Sequence, residues 1–145
     1  MKLIILGILL FTTLGHTNDI RANVIAVKTT DVSGKYRFAV TLKSDETGCE
    51  QYADWWEVLS KNGELLYRRI LVHSHPDTQP FTRSGGNVKI RSDDIVYVRA
   101  HMNKLGYIGD VFIGSVDIGF KKAVNIPNFS KVLDKQSPLP NGCAF

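Results

Sequence analysis

Three histidines are the first residues whose spacing could support chemistry. His73-Ser74-His75 is an H-x-H pair. On a strand alternate residues share a face, so the two imidazoles would stand about 7 Å apart on one side. Zinc and copper sites use such pairs, and His101, with Asp54 beside it, would complete a set able to hold copper, zinc or iron. His75 precedes Pro76, where a strand tends to end, so the same histidines also read as residues at a sheet edge.

A second set mixes rings with guanidinium groups: Tyr52, Trp56, Arg69, Tyr97 and Arg99. Aromatic faces suit stacking on a sugar ring, and an Arg fork suits a carboxylate. Cross-strand Trp–Arg and Tyr–Arg pairs that cover a sheet are the structural counterpart of that reading. Catalysis has no comparable support. Ser, His and Asp occur without a nucleophile elbow, and Arg83-Ser84-Gly85-Gly86 reads as a flexible turn without the strand–loop–helix setting of a phosphate cradle. Asn128-Phe129-Ser130 fits a glycosylation sequon. The reading is a non-catalytic binding or structural module for a small ligand or a protein partner, with no cofactor. A metal-binding or redox protein using His73, His75 and His101 is its alternative, and a carbohydrate-binding module a third.

These residues must be positioned by strands. No sustained 3.6-residue period follows residue 18. Short β-rich runs recur at 23–30, 36–44, 53–60, 64–73, 88–90, 95–102 and 110–120, separated by turn signals about every ten residues. That pattern predicts an all-β, immunoglobulin-like antiparallel sandwich. From Lys121 onward alternation is lost and Pro127, Pro138 and Pro140 appear, so 18–120 reads as the sandwich domain and 121–145 as an extension, with a helical turn or two over 128–135.

One hairpin can be built in register. Asn62-Gly63 favours a type I′ turn, which pairs Lys61 with Glu64, Trp56 with Arg69 and Trp55 with Ile70. Ala53, Trp55, Leu59, Leu66, Ile70 and Val72 then share a face with the charge pair Glu57–Arg68, and that face is expected to be the core. Tyr52, Asp54, Trp56, Val58, Tyr67, Arg69, Leu71 and His73 share the other. In the run 95–102, Val96, Val98, Ala100 and Met102 should point inward, leaving Tyr97, Arg99 and His101 outside. The expectation is that Trp56/Arg69/His73 and Tyr97/Arg99/His101 form one exposed aromatic-basic patch. The rival is that the 121–145 segment covers it and makes the arginines structural.

The compartment is read from the ends. Met1-Lys2 and the apolar stretch 3–14 have the form of a signal peptide ending near residue 17, too short to span a bilayer. The product is expected to be secreted or periplasmic, monomeric and without a membrane span. Losing Lys2 lowers the formal charge from +4 to +3, too little to imply a nucleic-acid partner. Cys49 and Cys143 are the only cysteines, an even number in an exported chain, and are expected to form a disulfide that ties the extension to the body.

Two segments carry a resemblance. Glu50-Gln51-Tyr52-Ala53-Asp54-Trp55-Trp56-Glu57-Val58, followed by Leu66-Tyr67-Arg68-Arg69-Ile70-Leu71, resembles the E-H-Y-I-x-W-I-E … V-Y-R-K-F-L hairpin of the desulfoferrodoxin/superoxide reductase family. Ala100-His101-Met102-Asn103-Lys104-Leu105-Gly106 is similar to that family's C-N-x-H-G loop. The resemblance implies an immunoglobulin-like sandwich. It also implies loss of the iron centre, because Gln51, Met102 and Leu105 stand where ligating His, Cys and His would be. The stretch 48–57 further resembles one in secreted bacterial proteins of no assigned function.

Overall fold

Apolar alternation and turn residues build eight strands in the computed structural model, which describes residues 19–144; the expected signal peptide 1–17 lies outside them. The strands are β1 Ala22–Asp31, β2 Tyr36–Ser44, β3 Ala53–Ser60, β4 Leu65–Ile70, β5 Phe81–Val88, β6 Val96–Met102, β7 Phe112–Ser115 and β8 Gly119–Lys122. They form two antiparallel sheets, in the orders β1-β2-β5 and β4-β3-β6-β7-β8. The sheets pack face to face as a β-sandwich. Phe38, Val40 and Leu42 of β2 meet Trp56 and Val58 of β3 and Val96, Val98, Ala100 and Met102 of β6 in the core between them. Among the described residues no helix is long and apolar enough to cross a membrane.

The β3–β4 hairpin keeps its expected register but not its expected turn. Trp55 faces Ile70, Trp56 faces Arg69 and Glu57 faces Arg68. The turn, however, is a three-residue loop: the Ser60 N–H donates to Glu64 O and the Gly63 N–H to Ser60 O, both at 2.9 Å. Gly63 alone in this turn takes positive φ, +85°. A register shift between Val58 and Leu59 then absorbs the extra residue, so two departures cancel.

The faces are the reverse of those expected for β3. Strand β6 lies beside it with Trp56 opposite Ala100 and Val58 opposite Val98, which turns Trp56 and Val58 into the main core. Trp55, Glu57 and Leu59 therefore share the outer side with His101, Arg99 and Tyr97. That outer side is buried as well, because residues 123–138 lie across it. Leu59, Tyr97, Val111, Ala123 and Leu133 make a second, smaller core there, with Phe129 packed against it. A short 3₁₀ segment, Lys131–Lys135, lies in the covering stretch. The Cys49–Cys143 disulfide is formed, and the Ala144 N–H donates to Val72 O at 2.7 Å.

Two runs also differ. The expected turn 83–86 is the middle of β5, and its glycine serves close packing: a Cβ at Gly85 would meet Arg69 Cδ at 3.0 Å. The single run expected over 110–120 is two short strands, β7 and β8, joined by a turn.

Candidate functional site

Glu57 sits in the middle of β3 with no exposed surface. A lone carboxylate there would cost several kcal/mol in desolvation, so it must be paired. Register supplies two partners: Arg68 faces it from β4 and Arg99 from β6. Arg68 donates from Nε at 2.8 Å and from Nη2 at 2.6 Å to Oε2, and Arg99 Nε donates to Oε1 at 2.8 Å. One buried anion thus faces two buried cations.

The two guanidinium groups differ in what remains to them. Arg68 has spent its donors: Nη2 reaches Leu133 O at 2.7 Å and the Tyr107 hydroxyl at 3.2 Å, and Nη1 reaches the carbonyls of Gln136 and Pro138. These are the bonds by which the covering segment is held. Arg99 is less satisfied. Its carbon lies 3.3 Å from the Tyr107 ring centre and 4.9 Å from that of Phe129, while its buried Nη2 has no hydrogen-bond partner. Burial, and then the charge of Glu57, push the Tyr107 phenol up to about 12 against the opposing pull of Arg99 and Arg68, so it is neutral at ordinary pH.

Beside this cluster, a register shift between Ala53 and Trp55 breaks the strict alternation at Asp54. Asp54 Oδ1 lies 2.6 Å from His101 Nδ1, and the His101 ring stacks on Trp55 at 3.6 Å. Arg68 also lies over Trp55, 4.4 Å from the ring centre.

Arg99 lines a cavity of about 530 Å³ bounded by residues 105–111 on one side and 126–131 on the other. Leu105, Ile108, Ile126 and Phe129 supply apolar walls, with Tyr107 beside Arg99. Leu105 and Ile126 are about half exposed, at 49% and 48%. The site therefore combines an arginine whose buried Nη2 is unsatisfied with a recess lined by both apolar and polar side chains. Such a group recognises an anion.

A second buried carboxylate is neutralised differently. Glu46 accepts from Ser44 Oγ at 2.6 Å and from the backbone N–H groups of Ala53 and His75. His75 Nε2 lies 2.6 Å from Arg83 Nη2, which can only donate, so this nitrogen is an acceptor and the ring is neutral. Burial and then the Arg83 charge hold the His75 pKa below its usual value, against the pull of Glu46 and with a further push from His73. The ring also stacks on Phe81 at 3.9 Å. This cluster pins the loop before β5.

The expected exposed patch does not form. Trp56 belongs to the inner face, whereas Tyr97 and Arg99 belong to the outer face of the same sheet. Arg69 bridges the sheets, donating from Nε to Ser84 O at 3.2 Å. Tyr52, Trp56, Tyr97 and Arg99 are all buried, so the rings on which a sugar would stack are not open to it. Burial, Asp54 and Glu46 raise the Tyr52 phenol pKa.

Nor do the three histidines converge. His73 and His75 lie 5.2 Å apart, but past the end of β4, while His101 belongs to the Asp54–Trp55–Tyr107 cluster. Among the described residues no three His, Cys, Asp or Glu side chains gather into a metal-holding group. At the positions the iron-protein resemblance singles out, Gln51 donates to Asp45 O at 2.7 Å, Met102 is in the main core and Leu105 lines the cavity. Tyr107, the Phe129 ring and the pairing of Arg99 with Glu57 were not singled out by sequence. The available signal was the odd charge count, two arginines against one glutamate on a single pleat.

A protein of Halomicrobium mukohataei described as "Putative lipoprotein" is 39% identical to this chain over 108 residues. The match covers 73% of this chain and 53% of that protein, so the chain spans about half the length of the relative it matches. No family model and no solved structure matches the chain.

Proposed function

We propose that the chain is an exported, non-catalytic binding module with an immunoglobulin-like strand order, and that its ligand enters the cavity beside Arg99. The observation that carries the reading is that Arg99 lines that cavity while its buried Nη2 has no hydrogen-bond partner. A buried donor left unpaired costs about 1–3 kcal/mol, and a ligand acceptor would recover that loss. Export is supported by the disulfide, by the signal-like residues 1–17 and by the name of the Halomicrobium mukohataei relative. The immunoglobulin-like reading is supported by the order β1-β2-β5 facing β4-β3-β6-β7, with β3 and β6 paired in the middle of their sheet.

Fragment screening by NMR on the protein produced through an export pathway tests the site. Amides of residues 105–111 and 126–131 should shift together for a set of hits. Hits confined to another surface would overturn the reading. Metal analysis of untagged protein tests the alternative, since one tightly held equivalent of copper, zinc or iron would favour a metal protein using His73, His75 or His101. A chain that stays in the cytosolic fraction would sink export.

A further inference from the structure

We infer that the ligand of this cavity is an organic monocarboxylate with an apolar body, an inference that rests on reading the cavity as the binding site. Charge is the first argument. Arg68 and Arg99 share the single carboxylate of Glu57, and the neighbouring buried carboxylate, Asp54, is engaged with His101 at 2.6 Å, so the contact with Glu57 is the one ion pair of Arg99 among the described residues. Other acids at the cavity do not pair with Arg99: Asp110 is paired with Lys122 at 2.7 Å, and Asp134 is exposed, with Lys131 also on the lining. A buried cation with a single ion-pair contact can take a second anion.

The second argument is the number and direction of donors. Arg99 Nε is spent on Glu57, and Tyr107 and Phe129 engage the flat surface of the guanidinium. What remains is the Nη edge, which meets a planar carboxylate in its own plane. A phosphate or sulfate carries more acceptors and needs several converging donors. Here Arg68 is saturated, and Arg99 Nη2 is the one buried guanidinium nitrogen without a partner among the described residues.

The third argument is the wall. Leu105, Ile108, Ile126 and Phe129 give the cavity an apolar part beside polar Asn128, Ser130 and Lys131, which suits a ligand with both an apolar body and an anionic end. About 530 Å³ is within the usual range for small-molecule sites and far larger than a bare formate or acetate needs. An aryl or alkyl body attached to the carboxylate would cover Leu105 and Ile126 on binding.

Calorimetric titration of the oxidised, full-length mature protein with phenylacetate, phenylacetamide and inorganic phosphate tests the assignment. Phenylacetate should bind saturably, the isosteric amide at least about tenfold more weakly, and phosphate not detectably at equal concentration. Arg99 variants disturb the buried cluster, so the wall residue Ile126 gives the second readout. Ile126→Glu should weaken phenylacetate binding about tenfold without lowering the melting temperature, while Ile126→Lys should not weaken it. Equal binding of acid and amide would overturn the anion assignment yet leave the cavity as the site. Tighter phosphate binding would replace the carboxylate with an oxyanion. Binding of none of the three would overturn this inference alone, since the fragment map judges the cavity itself.

Discussion

Along β3 and β6 both faces of the five-stranded sheet are buried, yet they are built on different principles. The inner face offers Trp56, Val58, Val98 and Ala100 to the other sheet and is held by apolar contact. The outer face offers Trp55, Glu57, Arg99 and His101 to a segment with little regular structure, and adds directed hydrogen bonds and one disulfide to a smaller apolar cluster. Apolar packing tolerates small changes of shape, because dispersion and water exclusion are not directional. A charged layer tolerates almost none, because losing one partner strands another in a medium that cannot solvate it.

The sharpest way to break the comparison is Glu57→Ala. It leaves two buried guanidinium groups without their carboxylate and should cost about 4 kcal/mol, read as a shift in the urea midpoint. A loss below about 1 kcal/mol would mean that the outer layer is as forgiving as the inner one. Next comes Cys143→Ala, with an expected loss of about 3 kcal/mol from freeing a long loop. Hydrogen exchange should then rise in residues 123–138 and leave β2 protected; uniform exchange would refute the division. On the inner face, Val98→Ala should cost about 2 kcal/mol, from lost burial plus a small cavity, with the outer layer unaffected.

The smallest effect is a pH dependence peculiar to the outer face. Tyr107 holds its proton to about pH 12, whereas in the unfolded chain it loses it near 10. Its contribution is therefore complete below pH 10 and lost as pH rises through about 12. Tyr107→Phe should cost about 1 kcal/mol at neutral pH and flatten that alkaline decline. An unchanged alkaline slope in the variant would assign the decline elsewhere.

Sequence made the pairing partners legible more readily than the direction in which they point. The expected two-residue turn set Glu57 against Arg68 and Trp56 against Arg69, and these pairs stand because the longer loop is offset by the shift between Val58 and Leu59. They could not say which side of β3 was inner, because Trp55 and Trp56 put a large ring on each face. The inward row Val96, Val98, Ala100 and Met102 was read correctly. What was missing was its register with β3, a contact far apart in sequence. Strand β5 was hidden for a local reason: Ser84-Gly85-Gly86 has turn composition, yet its glycine yields to Arg69 and Tyr67 across the sandwich. The candidate site was legible only in part. Arg99 was singled out by its type, but Tyr107 and Phe129 come from irregular segments, where side-chain direction follows no period.

The covering segment also sets an order of events. The carbonyls that complete Arg68 belong to residues 133, 136 and 138, far along the sequence, whereas its partner Glu57 lies only eleven positions away. During synthesis the hairpin is made before residues 133–138, and Arg68 stays incompletely satisfied until they follow. The final lock, Cys143, closes only where thiols are oxidised. A chain without residues 133–138 therefore leaves the charged side of the sheet without its cover and open to water.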